Sequence, residues 1–464
     1  MPGRLWADLI RRDRSVKTEP SLKALVDGFS EEWLKTVVAM KEAMDTKEFD
    51  ALAYTRLEGV HEAGNFVSPE GNDLLNRAVD LLLKQEKLQL KLRRQTARIA
   101  FIRAFFAHLP KARTRGVISE DAIIAGARQR MREAPRQDGL YIFPIAFAPK
   151  AKVPDFRVGP IRILPKARFR REHRTALRRG WTEPEEALRS RLMKDWSGYL
   201  RGYDHVVTVD MVGYEADMAW MAAREGVEFL LNLVRMLFGF HATKEIRVGG
   251  PYARERLRSS LRIRPDGDVA LSSSYGALPS HLDDDWTKAF DANLFAFRNM
   301  LGSFGYWLVA GELPDNPSFE RLRYANRLLA EAYSEPHDPV RLVRMTAALE
   351  ALSLLDGADK AHQLARRCAN AGGWGDLDRA MEIYDAVKVA YHWRSAVVHG
   401  DAPSATNVAK AFLGLEKHLM HIYLGYLALF AGINQKVRPQ SVGALRRAFK
   451  ARIDLFFWDW DFAV

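Results

Sequence analysis

Five apolar-periodic segments of helical length follow one another in the C-terminal half: residues 319–334, 339–355, 359–371, 376–400 and 404–432. The short stretches between them carry Pro336, Pro339, Gly357, Gly372, Gly373, Gly375 and Pro403, where helix breakers belong. Long helices joined by so little chain can only fold back on their sequence neighbours. The spacing therefore predicts an antiparallel all-α bundle over 315–435.

The rest of the chain has a different texture. Residues 1–135 read as helical: Leu74, Leu75, Val79, Leu82 and Leu83 recur at helical spacing, a charged stretch leads to apolar 99–106, and a further helix fits 120–132. From 136 to 312, LYIFPIAFAP, FRVGPIRILP and HVVTVDMVGY are β-branched and aromatic runs bounded by Gly and Pro, which read as strands. RSSLRIRPDGDVALSSSY reads as two more strands around a Pro-Asp-Gly turn, and helices fit 215–240 and 286–309. Pro314 and Pro317 mark a boundary before the bundle, and an aromatic-acidic tail, 436–464, follows it. The expected class is a mostly α, α+β multidomain protein. It has an N-terminal helical region, a central α+β module and a C-terminal helical bundle. With 464 residues, about three domains is the ordinary expectation.

Composition excludes several classes. At 48% apolar and 28% charged residues the chain is globular material, not disordered or collagen-like. Cys368 is the single cysteine, which rules out an intrachain disulfide and argues against a cysteine-based zinc site. No apolar signal core opens the chain. Arg235 interrupts the apolar run 227–240, and Glu416 and Lys417 interrupt 412–433. A cytoplasmic protein without a membrane span is expected. The net charge is +12, and it is unevenly placed. Residues 84–136 hold 14 basic and 4 acidic side chains, 150–201 hold 15 and 6, and 341–434 hold 10 and 9. The basic half predicts a polyanion-facing surface whose affinity falls with salt. Its candidates are Lys91, Arg93, Arg94 and Arg98, with Arg103 further along the same expected helix, and Arg168, Arg170, Arg171 and Arg174, with Arg178 and Arg179 beyond. Charge runs are commonly just solvated faces. Phe101, Phe105 and Phe106 fall at core spacing and read as packing. No zinc finger, phosphate loop or dinucleotide fingerprint is present, and Gly249-Gly250-Pro251 reads as a turn.

The stretch YHWRSAVVHGD, residues 391–401, is the most informative. Gly400 suits the left-handed position just past a helix, and Pro403 forbids continuation. Arg394 and His399 then lie in the last turns, where the helix dipole favours cations. Capping alone would explain both, with Val397 and Val398 packing inward. Spacing does not decide: Arg-x4-His also occurs at Arg56/His61, Arg103/His108 and Arg168/His173. Five helical residues turn through about 500°, leaving the two side chains about 140° apart. They converge only if the helix loosens near His399.

The same stretch resembles the Arg-x4-6-His signature of the HEPN superfamily, most closely its Apea-like branch, where a Tyr, an Arg-Ser pair and a His-Gly pair close a helix in this order. Upstream, RMTAALEALSLLDGADKAHQLARRCA is similar to that branch's Ala-Leu-Glu-x-Leu helix followed by a basic helix. The resemblance covers about 319–434. It implies a four- or five-helix bundle that pairs with a second copy and joins two Arg-His motifs into one composite ribonuclease site. Arg394 and His399 would be catalytic, supported by Tyr391, Ser395 and Glu350, and no metal or other cofactor would be needed. In that chemistry the RNA 2′-OH attacks the adjacent phosphorus, a His moves the proton, and an Arg holds the phosphate. Many catalytic members carry Asn, Asp or His where this chain has Ser395, and Ser is neither acid nor base at neutral pH. The implied roles are an endoribonuclease effector of bacterial defence or growth arrest, with RNA and a second copy as partners and the N-terminal half sensing a protein or nucleic-acid trigger. The alternative is a non-catalytic HEPN scaffold that dimerises and grips nucleic acid through its basic half.

Several residues keep two readings. Glu350 could fix the Arg394 guanidinium or face solvent. Lys360, Arg366 and Arg367 could line an RNA groove or form a solvated face. His392 points away from Arg394. His418 and His421 are neighbours at i, i+3, but no third metal ligand stands beside them. The tail aromatics Phe456, Phe457, Trp458, Trp460 and Phe462 either pack on the chain's own core or insert into a partner.

Overall fold

The computed structural model describes residues 20–46, 55–58, 66–115, 118–136, 138–146, 155–174, 200, 203–243, 246–248, 258–263, 269–274, 286–310, 316–335, 337–355, 359–401 and 403–453. These contain fifteen α-helices and nine short strands. They fall in two compact units, Met1–Arg136 and Gln137–Val464. Among the described residues no helix is long and apolar enough to cross a membrane.

The first unit packs α1 (Leu22–Thr46), α2 (Pro69–Gln85), α3 (Arg94–Arg115) and α4 (Glu120–Glu133) with a two-residue antiparallel ribbon, β1 (Thr55–Arg56) and β2 (Phe66–Val67). Ser68 starts α2 by accepting from the Gly71 amide, with Pro69 in the first turn. Phe101 and Phe105 are buried and meet Phe29 edge-on at 5.7 and 5.0 Å, while Phe106 lies against Trp33. These rings are core, as their spacing predicts.

In the second unit a five-stranded antiparallel sheet has the order β4-β5-β6-β3-β7. Its strands are β3 (Gly139–Ala146), β4 (Phe156–Val158), β5 (Ile161–Pro165), β6 (His205–Met211) and β7 (Arg247–Val248). Central β6 is buried on both faces. Val207, Val209 and Met211 join the main core, and Val206 joins Leu164 and Phe169 of the short helix α5 (Lys166–Glu172). A separate hairpin, β8 (Arg258–Ile263) with β9 (Val269–Ser274), flanks the Pro-Asp-Gly residues as expected. The helices α6 (Ala216–Phe238), α7 (Phe240–Thr243), α8 (Trp286–Leu294) and α9 (Arg298–Ala310) complete the module, a 3-10 turn at Phe295–Phe297 linking the last two.

Beyond it lie α10 (Pro317–Ser334), α11 (Asp338–Ser353), α12 (Lys360–Gly373), α13 (Leu377–His399), α14 (Ala405–Lys436) and α15 (Val442–Ile453). The first five fall on the five periodic segments. One core runs from Ile161 and Val207 of the sheet through Phe229, Phe304 and Phe319 to Leu415, Tyr426 and Phe449 of the helices. Helix α6 is tied to α10 by polar pairs: Glu225 accepts from Arg323 at 2.8 Å and Arg327 at 3.0 Å, and Asn232 donates to the Asn326 carbonyl at 2.9 Å. Cys368 is buried and its thiol is pushed up to about 12, so it is chemically quiet.

Two contacts of α14 set its position. Gly425 lies against the Ala371 carbonyl of α12, where any Cβ would collide with backbone. Gly425→Ala should therefore cost roughly 3 kcal/mol, the upper end for overpacking, in urea unfolding. Glu416 is buried, accepts from the Phe240 amide at 2.6 Å, and sits near Arg341, whose guanidinium lies 3.4 Å over the Phe240 ring. Burial raises the Glu416 carboxyl to about 7, against the opposing pull of the Phe240 amide and Arg341. The folded state thus holds this proton more tightly than the unfolded chain does. That contribution is full below the ordinary carboxyl range and is lost as pH rises toward 7. Glu416→Gln keeps an acceptor for Phe240. It should flatten the slope, gaining up to about 3 kcal/mol over the native protein at pH 8 in unfolding measured across pH 5–8.

Candidate functional site

Helix α13 starts where Asp376 accepts from the Arg379 amide, and it runs without interruption to His399. Its end is a Schellman closure: Gly400, at φ 87°, donates to the Val397 carbonyl at 3.2 Å, and Asp401 donates to the Ala396 carbonyl at 2.9 Å. The glycine thus does what its place in the sequence predicts, but the helix does not loosen before it. The separation of about 140° between Arg394 and His399 stands, and the two side chains do not converge within one chain. His399 is exposed, and its ring makes no hydrogen bond among the described residues. Val398 does not pack inward either; it is 51% exposed.

Arg394 turns the other way, into a cavity of about 300 Å³ lined by Arg321, Glu350, Leu354, Leu355, Lys360, Tyr391, Arg394 and Arg446. Nη2 of Arg394 donates to Glu350 at 3.2 Å, and its guanidinium lies 5.5 Å from the centre of the Tyr391 ring. Nε of Arg394 is buried without a partner among the described residues. Helix α11 supplies Glu350, and both ion-pair side chains are only 23% exposed. Burial, with the Glu350 carboxylate beside it, holds the Tyr391 phenol above its ordinary range. Of the supporting residues expected from the sequence, Tyr391 and Glu350 meet Arg394, while Ser395 is half-buried and does not line the cavity.

Two charged lining residues escaped the sequence. Arg321, on α10, donates to the Ala351 carbonyl at 3.1 Å, and burial together with the charge of Arg446 lowers its pKa. Arg446 comes from α15, inside the segment read as a tail. Leu445, Phe449 and Ile453 are buried there, and their recurrence every fourth residue after Ser441 was the available signal for a helix. The end of that tail, residues 454–464, lies outside the described residues.

Four cations therefore line this cavity against one carboxylate. Like charges gathered with so little compensation favour an anion, and a planar guanidinium beside an ammonium suits a phosphate group. Among the described residues no group of three or more His, Cys, Asp or Glu is placed to hold a metal ion.

The other expected contacts are scattered. Arg367 is only 4% exposed and donates to the Ser353 and Leu354 carbonyls at 2.8 and 2.9 Å, closing the end of α11. It cannot line an RNA groove. Arg366 is half-buried on the same helix. Lys91 and Arg93 precede α3 instead of riding on it. Arg94 is held by Asp80 at 2.6 Å, and Arg98 donates to Asn76 and Asn72 at 2.7 and 2.8 Å, so both fasten α3 to α2. Arg168 pairs with Glu172 at 2.7 Å, while Arg170, Arg171 and Arg174 are exposed at the end of α5. Arg178, Arg179 and Gly249-Gly250-Pro251 lie outside the described residues. The basic stretches thus spend part of their charge inside the fold.

No protein-family model, no curated protein and no solved structure matches the chain.

The cation cluster has a direct consequence. Sulfate at millimolar concentration should raise the thermal midpoint of the native protein by mass action. Arg446→Ala alters an exposed side chain. It should leave stability without sulfate within about 0.5 kcal/mol and abolish most of the sulfate response.

Proposed function

We propose that residues 315–435 form a HEPN-type bundle of the Apea-like branch, and that the protein is a metal-independent endoribonuclease acting in the bacterial cytoplasm as a defence or growth-arrest effector. The observation that carries this reading is the cavity at Arg394. An arginine of the motif sits among three further cations, oriented by Glu350 and Tyr391, and a histidine stands exposed at the end of the same helix.

In this reading the Arg394 cavity holds the phosphate flanking the scissile bond. The 2′-oxygen attacks phosphorus and the bond to the 5′-oxygen breaks. An imidazole takes the 2′-OH proton and the leaving oxygen is protonated from solvent, giving a 2′,3′-cyclic phosphate and a 5′-OH. Because His399 and Arg394 face different directions on one helix, that imidazole comes from a second copy. The exposed Val398 beside His399 offers apolar surface for that copy. The placement of His399 outside the cavity, with Ser395 in place of an acid-base residue, favours the second reading: a dimeric scaffold that binds RNA without cutting it.

Purified protein should cleave RNA in the presence of EDTA and leave cyclic phosphate ends. Arg394→Ala and His399→Ala should each slow cleavage by roughly 100-fold or more, and Arg394→Lys should recover only part of the loss. Overproduction in bacteria should arrest growth, and His399→Ala should relieve it. Salt-sensitive RNA binding with no cleavage by the native protein would leave only the scaffold reading.

A further inference from the structure

A second cleft shares no lining residue with the Arg394 cavity. It has a volume of about 570 Å³ and opens between the β4–β5 hairpin and the α8–α9 helices. That volume lies in the usual range for small-molecule sites. Its wall is fixed: Gly159, at φ +56°, turns the hairpin directly onto the backbone of Gly302, with no room for a side chain between them.

Among the described residues the cleft carries two arginines that no ion pair neutralises, against one carboxylate, Asp291. In the hairpin Arg157 stands opposite Arg162, a like-charge cross-strand pair that costs stability. Arg162 is clamped by Asp155 at 2.5 Å and Glu172 at 2.7 Å. Arg157 is exposed and has no ion pair among the described residues, and the same holds for Arg298 at the start of α9. Both line the cleft. Arg157 and Arg298 are thus both open to an external anion.

The cleft also exposes aromatic surface. The 3-10 turn between α8 and α9 directs its first and third residues apart. Phe297 packs on Trp374 with ring centres 5.0 Å apart, and Phe295 is left 74% exposed at the cleft. Tyr306, one helical stretch further, is 49% exposed on the same lining. Asp291 adds a hydrogen-bond acceptor. Planar rings, two uncommitted guanidiniums and one acceptor suit a group that is flat at one end and anionic at the other.

We propose that this cleft binds a nucleotide, its base against Phe295 and Tyr306 and its phosphate at Arg157 and Arg298. The nucleotide is either free or an unpaired residue of an RNA strand. Stacking and charge-assisted phosphate contacts are the two interactions such ligands offer. The site is independent of the ribonuclease reading, since it shares no residue with the Arg394 cavity.

The test is calorimetric titration of the full-length protein with ATP and with a 2′-O-methyl oligoadenylate octamer, which lacks the attacking hydroxyl and is not cut. At least one of them should bind. Phe295→Ala should weaken that binding about fivefold or more, and Arg157→Ala with Arg298→Ala about tenfold or more. The Phe295→Ala loss should be the same factor in an Arg394→Ala background as in the native protein, which separates this site from the other. Adenosine and inorganic phosphate should each bind far more weakly than ATP if the source is free nucleotide. Binding of the octamer alone assigns the cleft to a strand. Binding of neither ligand, or binding indifferent to Phe295, Arg157 and Arg298, overturns the proposal.

Discussion

Helix α14 is buried along most of its length, and the rest of the second unit has to accommodate it. Leu415, Leu419, Ile422 and Tyr426 are buried on one face and Met420 and Leu424 on another, so the helix meets neighbours on more than one side. A helix enclosed in this way leaves no freedom of register at its closest contacts. Gly425 fixes one contact by letting the α12 backbone approach, and Glu416 fixes another by reaching the Phe240 amide of α7. The first has no side chain to adjust, and the second is a carboxylate whose burial is tolerable only with a donor in place. Packing on α14 therefore sets where α12 ends, and through the α12–α13 turn where α13 begins.

The candidate site follows from that arrangement. Helices α10, α11, α13 and α15 each contribute a charged residue to one cavity, at Arg321, Glu350, Arg394 and Arg446, and Lys360 joins at the start of α12. None of these residues is unusual on its own helix. The charge density arises because elements distant in sequence end at one place. Repulsion among the cations is a standing cost, offset in part by Glu350 and by the Ala351 carbonyl that receives Arg321. A ligand phosphate would remove the remainder, which is the physical reason to look for an anion there.

Much of the helical architecture was legible in the sequence because it is written in local patterns. The five C-terminal helices, the paired strands on either side of Pro265-Asp266-Gly267 and the stop at Gly400 are each encoded by residues a few positions apart. What was not legible depends on contacts across the chain. Arg94 and Arg98 look like any arginine in a string of charge, and only the placement of Asp80, Asn72 and Asn76 on α2 shows what they hold. Arg367 looks like its neighbour Arg366, yet one more helical step turns it into the core beneath the α11 carbonyls. Helix α15 was hidden by a different cause: the acidic-aromatic residues after it dominate the composition of its segment and mask a clear four-residue repeat.

The 140° between Arg394 and His399 is the feature on which the ribonuclease reading turns. An unbroken helix cannot bring the two side chains to one phosphate, and the Schellman closure at Gly400 keeps the helix unbroken to its last residue. If the motif is chemical, one chain supplies the anion-holding half and presents its imidazole outward for use elsewhere. An exposed histidine at a helix end, flanked by an exposed valine, is a natural donor to a partner related by a two-fold axis. Such an axis repeats every contact and so completes two half-sites at once. If the motif is only a cap, the same helix end needs no partner, and the cation cavity remains as a binding site alone. The difference between the two readings thus reduces to whether a second chain meets the C-terminal end of α13.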